Sequence, residues 1–173
     1  MNLREEILKE HSKKQTLKVA NYIGNDKKRF AELMHLFFAN QYRVTQRAAW
    51  IVSNCFQKYP ELLNTYLKPM IKNLEKENLH DAVKRNTLRI LQFVSISKDL
   101  QGIAFENCMN LFVNTEEPIA VKVFAMTVLA NICKHEPDLK NELKIAIEEQ
   151  LPYGSPGFKS RANKVLKEWQ KLK

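Results

Sequence analysis

The sequence predicts an all-α protein in which pairs of helices stack as a repeat. The 173 residues include only four glycines and six prolines, too few for the many turns of a β-sandwich or β-barrel. Apolar residues recur at helical spacing along most of the chain, and one such segment returns at steps near 38 residues. We expect a single domain over residues 1–173 with about five helical pairs.

The repeated segment is an amphipathic helix. Its first copy has five residues at offsets of 0, 4, 7, 8 and 11, namely Val44, Ala48, Ile51, Val52 and Cys55. These offsets place the five side chains on one stripe of a helix. The pattern starts again at Val83, Val121 and Phe158. Because one stripe does not offset the cost of ordering its own helix, stacked neighbours must complete the core.

A further helix precedes each copy, over residues 27–40, 60–77, 98–113 and 137–151. Pro60 and Pro137 stand where a first-turn proline is tolerated. Thr115 and Ser155 have the residue types that cap the helix following them. The sequence therefore divides into a shortened N-terminal unit over residues 1–26 and four units over residues 27–172.

The repeat also predicts which side chains are buried and which are exposed. We expect the stripe to be buried at Ala48, Ile51, Val52, Ile90, Leu91, Ala125, Val128, Leu129, Val165 and Leu166. We expect Arg85, Arg89 and Lys164 to be exposed, because they lie outside the stripe.

These segments resemble the second helix of the HEAT repeat, in which an aspartate, a valine and a basic residue precede alanine and leucine at helical offsets. The run Asp81-Ala82-Val83-Lys84 leads to Thr87 and Leu91, and Pro69 resembles the proline of the family's first helix. The resemblance implies a right-handed α-α superhelix of the HEAT and armadillo type. It also implies a scaffold whose second helices line a concave face, since most members bind proteins and a minority bind or repair nucleic acid.

The residues expected on that open face lie at offsets 2, 6 and 9 of the repeated helix. The partner-binding candidates among them are Trp50, Arg85, Arg89, Gln92, Lys164 and Lys167. A tryptophan beside arginines has the composition of a binding hot spot. Alternatively, Trp50 packs against the next unit or the N-terminal helices, and the arginines form a solvated helix face. Lys164, Lys167 and Lys171 fit a soluble cap on the last unit, and contact with an anionic partner is the alternative for this run.

Charge is distributed unevenly along the chain. The formal net charge of +9 comes from +8 over residues 1–95, −4 over 96–157 and +5 over 158–173, so no uniform basic stripe marks a duplex binder. A protein partner is therefore the first expectation and nucleic acid the alternative. The HEAT-like alkylpurine DNA glycosylases are the enzymatic form of that alternative, because Trp50 with Arg47, Arg85 and Arg89 imitates part of their groove. However, no aspartate occurs on the proposed face.

The sequence contains few motifs typical of catalysis, metal binding or membrane insertion. The three cysteines form no close pair, which predicts reduced core thiols. The four histidines lack metal-ligand spacing, and glycine-rich phosphate loops are missing. No apolar segment is long enough to span a bilayer, and residues 1–18 do not form a signal peptide. We therefore expect a cytoplasmic protein that is not an enzyme and has no cofactor, no metal and no membrane partner.

Overall fold

In the computed structural model, which describes residues 1–170, the chain is built from α-helices and two short 3₁₀ helices. The α-helices are α1 (Leu3–Lys9), α2 (Lys13–Ile23), α3 (Lys27–Phe38), α4 (Tyr42–Lys58), α5 (Leu67–Asn73), α6 (Asp81–Leu91), α7 (Lys98–Val113), α8 (Ile119–Ile132), α9 (Lys140–Gln150) and α10 (Pro156–Gln170). The 3₁₀ helices are Pro60–Leu63 and Pro137–Leu139. No strand occurs among the described residues, which confirms the all-α fold class. The ten α-helices of this range correspond to the five helical pairs that the repeat predicts. Lys171, expected in the soluble C-terminal run, lies outside the described residues.

The chain divides into two compact units, Met1–Ile90 and Leu91–Lys173. In the first unit, α4 packs against α1, α2 and α3. In the second unit, α8 packs against α7, α9 and α10. Each unit thus has one of the repeated helices at its centre. The expectation of a single domain over residues 1–173 stays a prediction.

Two of the predicted first helices are interrupted near their prolines. A continuous helix over residues 60–77 is wrong, because the chain forms a 3₁₀ helix from Pro60, turns at residues 64–66 and starts α5 at Leu67. Pro69 explains the break, since a proline inside a helix clashes with the carbonyl four residues earlier. Pro69 is the third residue of α5, where a backbone N–H would have no partner within the helix, so the proline costs no helical hydrogen bond there. The helix predicted from Pro137 likewise begins as a 3₁₀ helix.

Some of the helices are capped by side chains that accept hydrogen bonds from backbone N–H groups at the helix start. The Asp26 carboxylate accepts from the amides of Lys28 and Arg29 at 2.9 and 3.0 Å, which lowers the pKa of Asp26. The Ser155 hydroxyl accepts from the amide of Phe158 at 3.3 Å and caps α10 as predicted. The cap predicted at Thr115 is wrong. Helix α8 starts after Pro118 instead, and no side chain caps its first turn.

The repeated stripe forms the core of the second helices. Its small members Ala48, Thr87, Ala125 and Ala162 are completely buried. Of the ten side chains predicted to be buried, nine are, and Leu166 is half-buried. Arg85, Arg89 and Lys164 are exposed, so the predicted orientation of the repeated helices is confirmed.

Burial of the second helices extends beyond that stripe. Ala49, Leu88 and Met126 share offset 5, well away from the stripe, and all three are completely buried. Ser53 and Ala130, which the repeat placed on the open face, are buried as well. Packing of α4 and α8 against several helices at once covers more than one of their faces. On α10, by contrast, Asn163 at offset 5 is exposed.

Candidate partner-binding site

Trp50 on α4 packs against the N-terminal segment. Its indole is half-buried, and the edge of its ring contacts His11 at a centroid separation of 5.8 Å and an interplanar angle of 83°. The neighbouring Arg47 donates hydrogen bonds to the carbonyls of Ile7 and Leu8 at 3.0 and 2.9 Å. Of the two interpretations of Trp50, the structure therefore shows the packing contact with the N-terminal segment. Its role in partner binding stays a prediction.

Arg85 and Arg89 lie one turn apart on α6, and both are exposed. The opposite face of the same helix holds buried Val83, Thr87 and Ile90. His80 precedes the helix, and its Nδ1 accepts a hydrogen bond from the amide of Ala82 at 3.0 Å. The start and the buried face of α6 thus place both arginines on the exposed side of the helix.

In the second unit, α8, α10 and the turn after α6 enclose a surface pocket of about 400 Å³. We call it the α8–α10 pocket. Its lining residues are Gln92, Phe93, Thr127, Ala130, Asn131, Lys134, Arg161, Lys164, Val165 and Glu168. The structure thus brings together two of the predicted site residues, Gln92 and Lys164. Lys167 is exposed on α10 but does not line the pocket.

Asn131 ties the turn after α6 to α8. Its Nδ2 donates to the backbone carbonyl of Gln92 at 3.1 Å, and its Oδ1 accepts from Lys134 Nζ at 3.2 Å. The amide side chain therefore holds the wall formed by Gln92 and Phe93 and also orients one cation of the pocket.

The aromatic ring and two of the three cations of this pocket were missed by the sequence analysis. Phe93 follows the end of α6, and the residue is 75% exposed. Lys134 follows the end of α8, and Arg161 lies at offset 3 of α10. Only offsets 2, 6 and 9 were considered for the open face. Arg47, which the sequence had already indicated beside Trp50, also lies at offset 3, so including that column would have identified Arg161.

A second pocket of the same unit, about 390 Å³, lies between the turn before α8 and the turn before α10. Its wall includes Ile119, Phe158 and Tyr153, whose side chain is 91% exposed. Lys122 Nζ donates to Gln150 Oε1 at 2.7 Å, and burial lowers the pKa of Lys122. The ammonium group that enters this pocket therefore already has a partner.

A family model described as a HEAT repeat domain matches residues 3–169. The chain belongs to the HEAT-repeat family. Comparison with curated proteins and with solved structures finds no match. Membership of this family identifies a repeat scaffold for interactions, and HEAT repeats commonly mediate contacts between proteins.

The groups with reactive chemistry are dispersed or buried. Burial raises the pKa of Cys55 and of Cys108 to about 12 and that of Cys133 to about 11. Among residues 1–170, no three His, Cys, Asp or Glu side chains are grouped so that they could hold a metal ion. Within the same range, no helix is long and apolar enough to cross a bilayer.

Proposed function

We propose that this HEAT-repeat chain is a non-catalytic scaffold that binds a protein partner through the exposed side of its second helices. The α8–α10 pocket supports the proposal most directly, since predicted site residues Gln92 and Lys164 meet there beside an exposed aromatic ring. Arginine and aromatic side chains are the types that dominate protein interfaces. Arg85 and Arg89 on α6 supply a further exposed basic pair.

The proposal is tested by affinity capture from a lysate of the source organism, with the amount of each captured protein compared between variants. One variant carries Arg85→Glu and Arg89→Glu, and a second carries Lys164→Glu and Lys167→Glu. The matched control is Lys68→Glu with Lys72→Glu, which reverses two exposed charges on the first helix α5 at the spacing of Arg85 and Arg89. A partner retained by the control and lost by either second-helix variant supports the proposal. Capture that is equal for all three variants contradicts it.

Nucleic-acid binding is the second candidate, and the charge of the first unit favours it. Residues 1–90 contain 17 Lys and Arg against 9 Asp and Glu, a formal balance of +8 that attracts polyanions. Anisotropy of labelled single- and double-stranded DNA at several salt concentrations tests this candidate. If Arg85 and Arg89 contact phosphates, their replacement reduces the log-log salt slope by about 2. Absence of binding at low salt excludes it.

The proposal includes a cytoplasmic location. Three free, buried cysteines support a reducing compartment, because thiols persist there without forming disulfides. Cell fractionation tests this part, and recovery of the protein in a secreted or membrane fraction would contradict it.

A further inference from the structure

We infer that the α8–α10 pocket binds an acidic segment of a partner protein that carries a large apolar side chain. The inference rests on the proposed function and specifies the chemistry of the partner. Two properties of the pocket carry it, an excess of positive charge and an exposed aromatic ring above small or apolar side chains.

Three cations line the pocket, namely Lys134, Arg161 and Lys164, against the one carboxylate of Glu168. Within residues 1–170, neither Arg161 nor Lys164 forms an ion pair. Asn131 holds Lys134 by a hydrogen bond to its ammonium group but does not neutralise it. The pocket thus presents a surplus of two positive charges, and carboxylates bound there would form charge-assisted hydrogen bonds with them.

The apolar part of the pocket is formed by Phe93, Ala130 and Val165. Phe93 stands 75% exposed on a turn, where water surrounds most of its ring. Ala130 and Val165 are buried, so they form the floor and Phe93 forms one wall. An aromatic or branched aliphatic side chain placed between them would remove apolar surface from water on both partners.

Cations beside an aromatic ring also occur in sites for single-stranded nucleic acid, and two observations favour a peptide here. Residues 91–173 contain 11 Lys and Arg against 10 Asp and Glu, so the unit as a whole is almost neutral and attracts a long polyanion weakly. Glu168 also lines the pocket, and a peptide can leave the position beside it uncharged, whereas a polynucleotide carries a phosphate at every nucleotide. A short segment with two or three carboxylates matches the local surplus of charge.

The inference is tested by titrating the isotope-labelled full-length protein with a synthetic peptide in which several glutamates flank one phenylalanine. NMR detects weak binding and locates it by residue. We expect shift changes confined to residues 92–93, 127–134 and 161–168. We expect Arg161→Glu with Lys164→Glu to weaken binding at least about tenfold, because charge-assisted contacts are lost. Phe93→Ala is expected to weaken it by about fivefold or more through lost apolar burial.

Two matched controls separate the pocket from general effects. Lys159→Glu reverses an exposed charge on α10 outside the pocket, and Tyr153→Ala removes the 91% exposed aromatic ring of the other pocket. Both are expected to leave peptide affinity within about twofold, since neither residue lines the α8–α10 pocket. A further variant, Asn131→Ala, releases the turn that carries Phe93 and should weaken binding while helix content is unchanged.

Three results would overturn the inference. One is the absence of localised shifts at any peptide concentration. Another is equal binding of a peptide in which lysines replace the glutamates. The third is tighter binding of oligothymidylate in the same pocket, which makes it a nucleic-acid site. If the peptide fails while capture of a partner still depends on Arg85 and Arg89, the chain is a protein-binding scaffold whose contact lies elsewhere.

Discussion

Replacing Arg47 with methionine should release the N-terminal helix α1. This helix has seven residues, far too short to be stable alone. The residue after its last turn, Glu10, is extended, so no left-handed cap residue satisfies the last backbone carbonyls of the helix. Instead, Gln15 Nε2 donates to the carbonyl of Glu6 at 2.7 Å, and Arg47 donates to those of Ile7 and Leu8. Two side chains thus satisfy three of the four carbonyls that a helix end leaves unpaired.

The magnitude follows from these contacts. A hydrogen bond that involves a charged group contributes about 1.5–3 kcal/mol. Leu8 is exposed, so water partly replaces the lost donor at its carbonyl, whereas Ile7 is buried. We therefore expect Arg47→Met to lower the free energy of opening α1 by about 1.5–3 kcal/mol. Methionine keeps the apolar stem of the side chain, so the change reports mainly on the hydrogen bonds.

The assay is native-state hydrogen exchange of the α1 amides, with Trp50 fluorescence in a Trp169→Phe background as a second readout. Protection in α1 should fall by about 10- to 100-fold, and the Trp50 emission should shift to longer wavelength because its contact with His11 loosens. Arg43→Met, which removes an exposed arginine one turn earlier on α4, is the control. Unchanged α1 protection in Arg47→Met, or an equal loss in Arg43→Met, would refute this account of the helix end.

Three further predictions concern the core and the ionisable groups. Burial raises the pKa of Cys55 and Cys108 to about 12 and that of Cys133 to about 11, so the folded protein should react with a thiol reagent only as it unfolds. Single-cysteine variants then report whether residues 1–90 and 91–173 unfold together. Immediate reaction of the folded protein would contradict the burial of these thiols. Hydrogen bonds from Lys9, Lys18 and Gln15 lower the pKa of Glu6 from 4.5 to about 2, so its stabilisation is complete above about pH 4.5 and is lost as the pH falls towards 2. In the same Trp169→Phe background, an acid titration followed by Trp50 fluorescence should differ in that interval between the parent protein and Glu6→Gln, and identical curves would exclude the effect. Gly154→Ala should destabilise the protein by about 1–3 kcal/mol, since the new Cβ would lie 2.5 Å from Cδ1 of buried Phe158, which stacks on Phe112. The control is Gly157→Ala, whose new Cβ meets nothing within 4 Å. Both variants are compared by urea unfolding, and equal stability of the two would contradict the contact with Phe158.

The period of the sequence was sufficient to predict the helices and most of the core. A spacing near 38 residues placed Ala48, Thr87 and Ala125 in one column, and all three are completely buried. The period does not predict burial that depends on contacts with neighbouring helices. Ser53 and Ala130 have the offset of an exposed residue, but both are covered in the packed units. Periodicity identifies one face of a helix and does not show how many other helices surround it.

The candidate site was predicted only in part for a related reason. Gln92 and Lys164 were chosen by their offsets, and the structure does bring them to one pocket. Phe93 lies in a turn and Lys134 beyond the end of α8, where a helical period has no meaning. Trp50 was predicted as a contact residue from its offset and its residue type, but its ring contacts His11. A contact between residues 39 positions apart along the chain leaves no local pattern in the sequence.

The exposed position of Asn163 has a practical consequence for engineering. Ala49, Leu88 and Met126 at the same offset are completely buried, whereas α10 presents Asn163, Lys164 and Lys167 to water. A designed module fused after α10 would have to desolvate an amide and two ammonium groups, which opposes stacking. Apolar residues at these three positions would turn α10 into an acceptor for an added repeat. Without an added repeat, the substituted protein would be prone to self-association.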